Sequence, residues 1–456
     1  MSLTALAFLV LFMVGAGLAL ARHPIYGLYT YMLTFYMAPA DAWWGQELPV
    51  LRWTLIAAGL TMISALIHGD TSGRPPWHQH PTARTLIVLT LLLWLQSLWA
   101  ISPEDHNFLS VLFTKYVVMF ALLYVALSDE QKVVQFSLAH VIGCFLWGYT
   151  AYRNPGSGRL EDLGTSDVSG SAFASMHMST ALAFAGFIFL GVSRWTKWVA
   201  LASIPFILNA IILMATRGAF VGLLAAAPIA FGFAPRTRKK WVAMYLMLGA
   251  VLGLLLAHDL FWERMSTIVV SEDKPMEASA ASRFDIAKAN LAMFRDHPLG
   301  VGHRGNDLLS PRYMPPSLLT EKDGTSIRSA HNTIMAVLVD HGILGLILVV
   351  AFHVRIARAL LRLKKERNDS LSVSLRAIVA ALATSLVIYW ANAQFANMMK
   401  AEIVIWIAAM AGAIEALRKP DEAELPQSPV SRLAAARPDT MRRNSQARPP
   451  DGIRRR

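Results

Sequence analysis

Three arginines in the second half of the chain have the chemistry to bind an anionic group. Arg217 opens an apolar segment, Arg283 lies at the start of a polar segment with helical periodicity, and Arg304 lies in a glycine-rich turn. A planar guanidinium can bind two phosphate oxygens at once, so the set indicates capture of a phosphorylated substrate. The alternative interpretation is that these arginines are interface anchors and surface charges, because their spacing alone is compatible with both.

His331 is the candidate for proton transfer. It follows Ser329-Ala330 at the point where a polar segment enters an apolar one. A helix N-terminus disfavours a charged imidazole, so His331 should be neutral and able to accept a proton near pH 7. The alternative is a histidine that only lies at a membrane interface. Candidates for supporting roles are Asn332, Arg159 and His177, although one histidine on an apolar helix is more often a packing residue.

The composition defines the environment of these residues. Hydrophobic residues make up 55% of the 456, and charged residues only 16%, where a soluble protein would carry roughly 25%. The net charge of +12 resembles that of a nucleic-acid-binding protein until its location is considered. A single cysteine, Cys144, excludes both a disulfide framework and a cysteine metal site. The sequence therefore predicts an all-α polytopic membrane protein.

Apolar segments long enough to cross about 30 Å of hydrocarbon as helices recur along the chain. Segment 25–40 is the weakest, because it is short and lies between two prolines, so we expect twelve or thirteen transmembrane helices. The candidates are 3–21, 25–40, 50–68, 84–101, 108–127, 131–151, 172–192, 196–214, 217–233, 240–257, 333–353, 374–396 and 400–417.

The positions of Lys and Arg predict the orientation. Basic residues cluster in 69–84, 193–198, 234–240, 354–370 and the tail from 418. If the segments alternate, all five fall on one side, which should be the cytoplasm. The net positive charge then reflects the orientation of the protein in the membrane, so it predicts no nucleic-acid partner. The opposite side receives the remaining loops, which are 41–49, 102–107, 152–171, 258–332 and 397–400.

The long hydrophilic loop 258–332 should carry the functional elements. We expect an amphipathic helix over 283–296, with Ser282 as its N-cap and His297-Pro298 ending it. Its apolar face should be formed by Phe284, Ala287, Leu291 and Phe294. The predicted regions are an N-terminal transmembrane bundle (1–257), this loop, C-terminal transmembrane helices (333–417) and a disordered basic cytoplasmic tail (418–456).

Several other kinds of site are missing from the sequence. It contains no D-x-D pair, no Walker A motif, no H-E-x-x-H and no G-x-S-x-G. Metal–nucleotide-sugar transfer, nucleotide-driven transport, zinc proteolysis and serine hydrolysis by those routes are therefore not expected. We predict no metal and no cofactor.

The order of several motifs resembles the O-antigen ligase and polymerase superfamily (Wzy/WaaL-like), and the presence of only one large outer loop favours an O-antigen ligase. The motifs are Thr216-Arg217-Gly218, Ser282-Arg283 before the loop helix, the run from His297 to Gly302, His331-Asn332, and the run from Asp340 to Gly345. They cover roughly 210–350, and outside that region the resemblance is one of hydropathy only.

The resemblance implies a GT-C-type glycosyltransferase of lipopolysaccharide biosynthesis in the bacterial inner membrane, with its active site facing the periplasm. Such an enzyme takes a glycan from undecaprenyl pyrophosphate without a metal, by an inverting transfer, and a ligase passes it to lipid A–core. Matched residue by residue, Arg217 and Arg283 fall on family arginines that would bind the pyrophosphate. Arg304 is a looser match to a third, and His331 falls on the histidine expected to act as general base.

Two other functions remain open at this stage. A polymerase would join lipid-linked repeat units, and such enzymes often have larger or additional outer loops. A transporter of lipid-linked sugars would usually show internal repeats and broken helices at the membrane midplane. Here the candidate residues gather at one face.

Overall fold

Within the part of the chain that the structure describes, the fold is helical apart from one short hairpin. The computed structural model describes residues 1–418 except 70–72, 157, 166–167, 169, 193–194, 267–277, 323–324 and 367–369, and leaves out the side chains of 278–283, 321–322 and 325. The helices within this part are α1 (Leu3–Ala21), α2 (Pro24–Met37), α3 (Trp53–His68), α4 (Pro81–Gln96), α5 (Pro103–Ala126), α6 (Glu130–Arg153), α7 (Ser171–Gly191), α8 (Thr196–Met214), α9 (Arg217–Phe233), α10 (Lys239–Leu256), α11 (Asp259–Ser266), α12 (Ala278–Asp296), α13 (Gly305–Tyr313), α14 (Thr333–Lys365), α15 (Val373–Asn392) and α16 (Ile403–Leu417). Strands β1 (Thr320–Lys322) and β2 (Thr325–Ile327) pair antiparallel.

Each of the thirteen predicted apolar segments contains a helix. Eight helices (α1, α5, α6, α7, α8, α10, α14 and α15) are long and apolar enough to cross a membrane, and α3, α4, α9 and α16 are shorter apolar helices. Helix α2 has 14 residues, which corresponds to roughly 21 Å. It is too short to cross the hydrocarbon alone, and most of its residues are buried among α1, α3 and α6. The prediction of an all-α polytopic membrane protein is confirmed.

Polar contacts connect loops that are predicted to lie on the same side of the membrane if successive segments alternate in direction. At one end, the Ile101 amide donates to the Val301 carbonyl at 2.8 Å, and the Thr333 amide donates to the Ala393 carbonyl at 2.8 Å. At the other end, Glu415 bonds both His80 and Arg362 at 2.9 and 2.8 Å. We call these the outer end and the inner end. Residues 1–417 form one compact unit, whereas 419–456 of the predicted tail lie outside the described residues.

Helix α14 is longer than predicted and is bent near its outer end. It runs to Lys365, so most of the basic cluster predicted as a loop after 353 lies on the helix itself. Gly342 interrupts it with φ 65° and ψ −169°, a conformation open to glycine and unfavourable for other residues. Residues 333–341 therefore form a separate outer helical segment, and the main helix begins at Ile343.

The helix of the outer loop is present, but two details of the prediction are wrong. Helix α12 begins at Ala278, so Ser282 lies inside the helix and is not its N-cap. The face that packs on the protein contains Ile286, Ala289 and Met293, whereas Phe284 is 67% exposed and Leu291 is 41% exposed. Phe294 packs against this face as predicted and Ala287 is half-buried, so the predicted face is wrong at Phe284 and Leu291. The helical spacing of Ile286, Ala289 and Met293 shows that the helix is amphipathic.

Candidate functional site

Arg217 is the first residue of α9 and lies at the outer end of the bundle. The preceding Thr216 is buried, and its hydroxyl donates to Ser175 Oγ of α7 at 2.8 Å. Arg217 itself is half-buried, and its Nε donates to the carbonyl of Arg264 in α11 at 3.4 Å. The side chain of Arg217 therefore lies between the apolar helix α9 and the outer loop.

Arg217 belongs to an arginine cluster, which we define as Arg159, Arg217 and Arg264. Arg159 Nε donates to the Met214 carbonyl at 3.0 Å, next to the start of α9. Burial lowers the pKa of Arg159, and the positive charge of Arg264 lowers it further. Glu161 Oε1 accepts from Arg159 Nη1 at 2.9 Å and offsets part of the charge. Like charges repel, so a bound anion would stabilise the pair of Arg159 and Arg264.

Arg304 is held by an acidic residue of another helix. Its Nη1 donates to both carboxylate oxygens of Asp105, at 3.0 and 3.2 Å. The two side chains are 41% and 30% exposed, so the pair should contribute at most about 1 kcal/mol to stability. An incoming phosphate would have to share Arg304 with Asp105, a partner that the sequence did not indicate.

His331 lies immediately before α14 and is exposed. The N-cap of the helix is Asn332, whose Oδ1 accepts from the Met335 amide at 3.1 Å. The predicted position at a helix start is therefore correct, with His331 one residue outside the cap. Its backbone φ is 49°, in the left-handed region that non-glycine residues adopt only when the surrounding structure requires it.

Left-handed backbone conformations occur at or near three of the candidate residues. Within the described part of the chain, four non-glycine residues have positive φ, and they are Ala38, Ala215, Arg304 and His331. Two of them are candidate site residues, and Ala215 lies two residues before Arg217. Such conformations cost on the order of 1–3 kcal/mol each and tend to cluster at functional sites.

Contacts of the outer loop and α15 connect the regions of Arg217, Arg304 and His331. Gly218 packs so closely on Asn392 of α15 that an added Cβ would lie 2.6 Å from its Oδ1. Two residues after that asparagine, Gln394 Oε1 accepts from Asn332 Nδ2 at 3.1 Å. On the other side, Asn306 Oδ1 accepts from the Ala330 amide at 3.3 Å, two residues after Arg304. Arg217 and His331 therefore both lie next to residues at the outer end of α15, and Arg304 is connected to the region of His331 through Asn306.

The remaining candidates have different surroundings. Arg283 lies in the second turn of α12, and its side chain is outside the described residues. His177 lies inside the bundle at 0% exposure, packed against the rings of Phe35, Trp147 and Trp406. A role for His177 in contact with an outer substrate has no support from these contacts.

The structure also brings together a polar group that sequence reasoning missed. At the bend of α14, Asp340 and His341 meet His303 of the glycine-rich turn, and ligand atoms of the three residues lie within 4.8 Å of one another. The sequence predicted no metal, and positions 303 and 340 are far apart in the chain. The glycines at 300, 302 and 305 indicated that another backbone segment could approach this turn closely. They did not indicate that this segment is the bend of α14.

The fold and the site define a multi-pass membrane protein whose candidate chemistry lies at one end of the helix bundle. Residues 201–350 match a family model described as O-Antigen ligase, and this match supports the resemblance to the O-antigen ligase and polymerase superfamily. The matched range includes Arg217, Arg283, Arg304 and His331. None of the curated proteins compared with the chain matches it. The family is one of membrane glycosyltransferase-like enzymes of O-antigen and lipopolysaccharide biosynthesis.

Proposed function

We propose that this protein is an O-antigen ligase of the bacterial inner membrane. It would transfer a polysaccharide from undecaprenyl pyrophosphate to a sugar hydroxyl of lipid A–core, with the outer end of the bundle facing the periplasm. The observation that supports this most strongly is that Arg217 and His331 both lie next to residues at the outer end of α15, within the family match. Arg304 is connected to the region of His331 through Asn306.

The arginines would bind the pyrophosphate of the donor. The pyrophosphate leaving group carries at least two negative charges. Its negative charge increases as the bond to the sugar breaks. Fixed guanidinium groups aimed at this charge stabilise the transition state more than they stabilise the substrate. Arg217 is the best placed, since Arg159 and Arg264 lie beside it. Arg283 and Arg304 would complete the set from the outer loop.

His331 would accept the proton of the acceptor. In one displacement, the acceptor oxygen attacks the anomeric carbon and the bond from that carbon to the pyrophosphate oxygen breaks. The pyrophosphate leaves with the electron pair, and the hydroxyl proton passes to an imidazole nitrogen of His331. A single displacement inverts the anomeric centre, so no covalent glycosyl-enzyme is needed. Asn332, as the helix cap, would position the histidine.

A polymerase is the second candidate, because the superfamily includes both activities. Within the sequence, 258–332 is the one long hydrophilic segment between predicted spans. This favours the ligase, because polymerases often have larger or additional outer loops. A transporter is less well supported, since the arginines and His331 lie at one end of the bundle.

The deciding experiment gives the purified protein, in lipid nanodiscs, a lipid-linked glycan with or without lipid A–core. A ligase transfers the glycan to the core and leaves the donor unchanged when the core is omitted. A ladder of lengthening lipid-linked chains without the core would identify a polymerase. Arg217→Ala serves as the control for background transfer.

A further inference from the structure

The bend of α14 packs against the glycine-rich turn (residues 300–305) through backbone and side-chain contacts. The Gly302 amide donates to the Asp340 carbonyl at 2.8 Å, and the Ile343 amide donates to the Pro298 carbonyl at 3.1 Å. His303 follows directly after this crossing. As a result, His303 faces Asp340 and His341, although the two segments are 37 residues apart in the chain. These three side chains could bind a cation.

The three side chains are buried and face one another. His303 is 5% exposed, and Asp340 and His341 are 1% exposed each. His303 Nδ1 lies 3.8 Å from Asp340 Oδ2, too far for a hydrogen bond and close to the separation of two ligands on one ion. The Nδ1 atom of His303 and the Nε2 atom of His341 are both buried without a hydrogen-bond partner among the described residues.

Gln96 determines the tautomer of His341. The Nε2 group of Gln96 donates to the Asp340 carbonyl at 2.8 Å, so its Oε1 is the atom that lies 2.8 Å from His341 Nδ1. An amide oxygen can only accept, so Nδ1 of His341 carries the proton and Nε2 presents a bare lone pair. Fixing a histidine tautomer through its second nitrogen is what the outer shell of a metal site does.

Asp340 and His303 are positioned in a similar way. Asn306 donates to Asp340 Oδ1 from its amide at 2.8 Å and from Nδ2 at 3.1 Å, which leaves Oδ2 directed to the histidines. His106 Nδ1 accepts from the His303 amide at 3.0 Å, while its Nε2 bonds the Leu93 carbonyl at 2.7 Å. These contacts position Asp340 and His303 and leave Asp340 Oδ2 and His303 Nδ1 available to bind an ion.

Two helix ends add negative potential at this place. Helix α4 ends at Gln96, and the outer segment of α14 ends at His341 just before the bend. The C-terminus of a helix carries a partial negative charge of about half an elementary unit, so both ends favour a cation. One carboxylate and two neutral imidazoles would leave a bound divalent ion with one net positive charge.

We propose that His303 Nδ1, Asp340 Oδ2 and His341 Nε2 bind a divalent first-row transition ion, with zinc as the expected occupant. Two nitrogens and one carboxylate oxygen are ligands typical of zinc, at distances of about 2.0–2.2 Å. Tetrahedral ligands at that distance lie about 3.4 Å apart, so the 3.8 Å between His303 and Asp340 has to close only slightly. The ion is structural, because it fastens the glycine-rich turn to α14 and has no part in the proposed transfer chemistry.

The test measures the metal content of the protein purified through an affinity tag without histidines. After exposure to Zn²⁺ and removal of free ion, the wild type should contain about one zinc per chain, as a buried site with this ligand set would hold it through gel filtration. His303→Gln and His341→Gln should each reduce the content at least tenfold, since an amide cannot replace the imidazole lone pair. His353→Ala is the matched control, because His353 is buried in the same helix, its Nε2 has no hydrogen-bond partner among the described residues, and it belongs to no metal-ligand group found among them.

Two further measurements keep the proposal testable if a variant folds poorly. Zn²⁺ should raise the unfolding temperature of chelator-treated wild type and leave that of His303→Gln unchanged. Co²⁺ added to the wild type should give d–d absorption of a site with nitrogen and oxygen ligands. A wild type that retains no ion and shows no such absorption would overturn the proposal and identify the group as a protonated hydrogen-bond network. Equal zinc in the wild type and both glutamine variants would overturn it as well.

Discussion

The backbones of Gly300 and Gly342 cross in direct contact at the outer end of the bundle. A Cβ on Gly300 would lie 2.4 Å from the Gly342 amide nitrogen, and a Cβ on Gly342 would lie 2.4 Å from the carbonyl carbon of Leu299. Both glycines have positive φ, 78° and 65°. The crossing holds the turn that carries Arg304 against the helix that follows His331, so it positions two candidate residues at once.

Substitution of either glycine should disrupt this crossing. Gly300→Ala and Gly342→Ala should each destabilise the protein by about 2 kcal/mol or more, because strained φ and overlap with backbone atoms add together. Thermal unfolding in detergent measures the loss. Gly253→Ala is the control, since a Cβ there meets nothing within 4 Å. Equal unfolding temperatures for Gly342→Ala and Gly253→Ala would show that the crossing does not contribute to stability.

The orientation of the bundle can be tested with single cysteines. In a Cys144→Ala background, Ser317→Cys should react with an impermeant maleimide in intact spheroplasts, and Thr237→Cys should react only after lysis. Both positions are exposed, and they lie in the outer loop and in the basic inner loop. Labelling of Thr237→Cys alone in intact cells would reverse the orientation and place the candidate site in the cytoplasm.

Arg217 should be intolerant of lysine. A lysine keeps the charge but cannot bind two phosphate oxygens in one plane, so Arg217→Lys should lower transfer at least about tenfold. The rate of transfer from a lipid-linked donor is the measurement. Arg312→Lys is the control, because Arg312 is exposed in the same outer region. Full activity of Arg217→Lys would show that the planar geometry of the guanidinium is not needed.

His331 should be required for the acceptor step. A general base contributes typically 10²–10⁴-fold, so His331→Ala should reduce turnover by about two orders of magnitude or more. Binding of the donor should persist, because the pyrophosphate is assigned to the arginines. His297→Ala, another histidine of the outer loop, should cost much less. If His331→Ala kept more than about a tenth of normal transfer, the proton would have to go to another group.

Added magnesium or manganese should not stimulate transfer. In the proposed function the arginines take the role that a metal ion has in other glycosyltransferases, and the proposed zinc would be buried among His303, Asp340 and His341. Rates measured in brief assays with EDTA should therefore match rates with added Mg²⁺. A clear increase with Mg²⁺ or Mn²⁺ would contradict pyrophosphate binding by arginines alone, without bearing on the buried site.

The sequence by itself determined the elements and their order. Hydropathy located the thirteen apolar helices, and the doubtful segment 25–40 is the short helix α2 in the structure. Helix α12 was predicted from its periodicity and from His297-Pro298 at its end. These features could be predicted because burial in lipid, helix capping and proline act within a few residues of the chain.

Only the tertiary structure decided which side chains meet. The approach of Arg264 to Arg159 and Arg217, the pairing of Arg304 with Asp105, and the group of His303, Asp340 and His341 all join segments distant in sequence. The bend at Gly342 also depends on the turn that packs against it, because its positive φ is stabilised by that contact. Local periodicity carries no information about such partners, since the packing of whole helices fixes them.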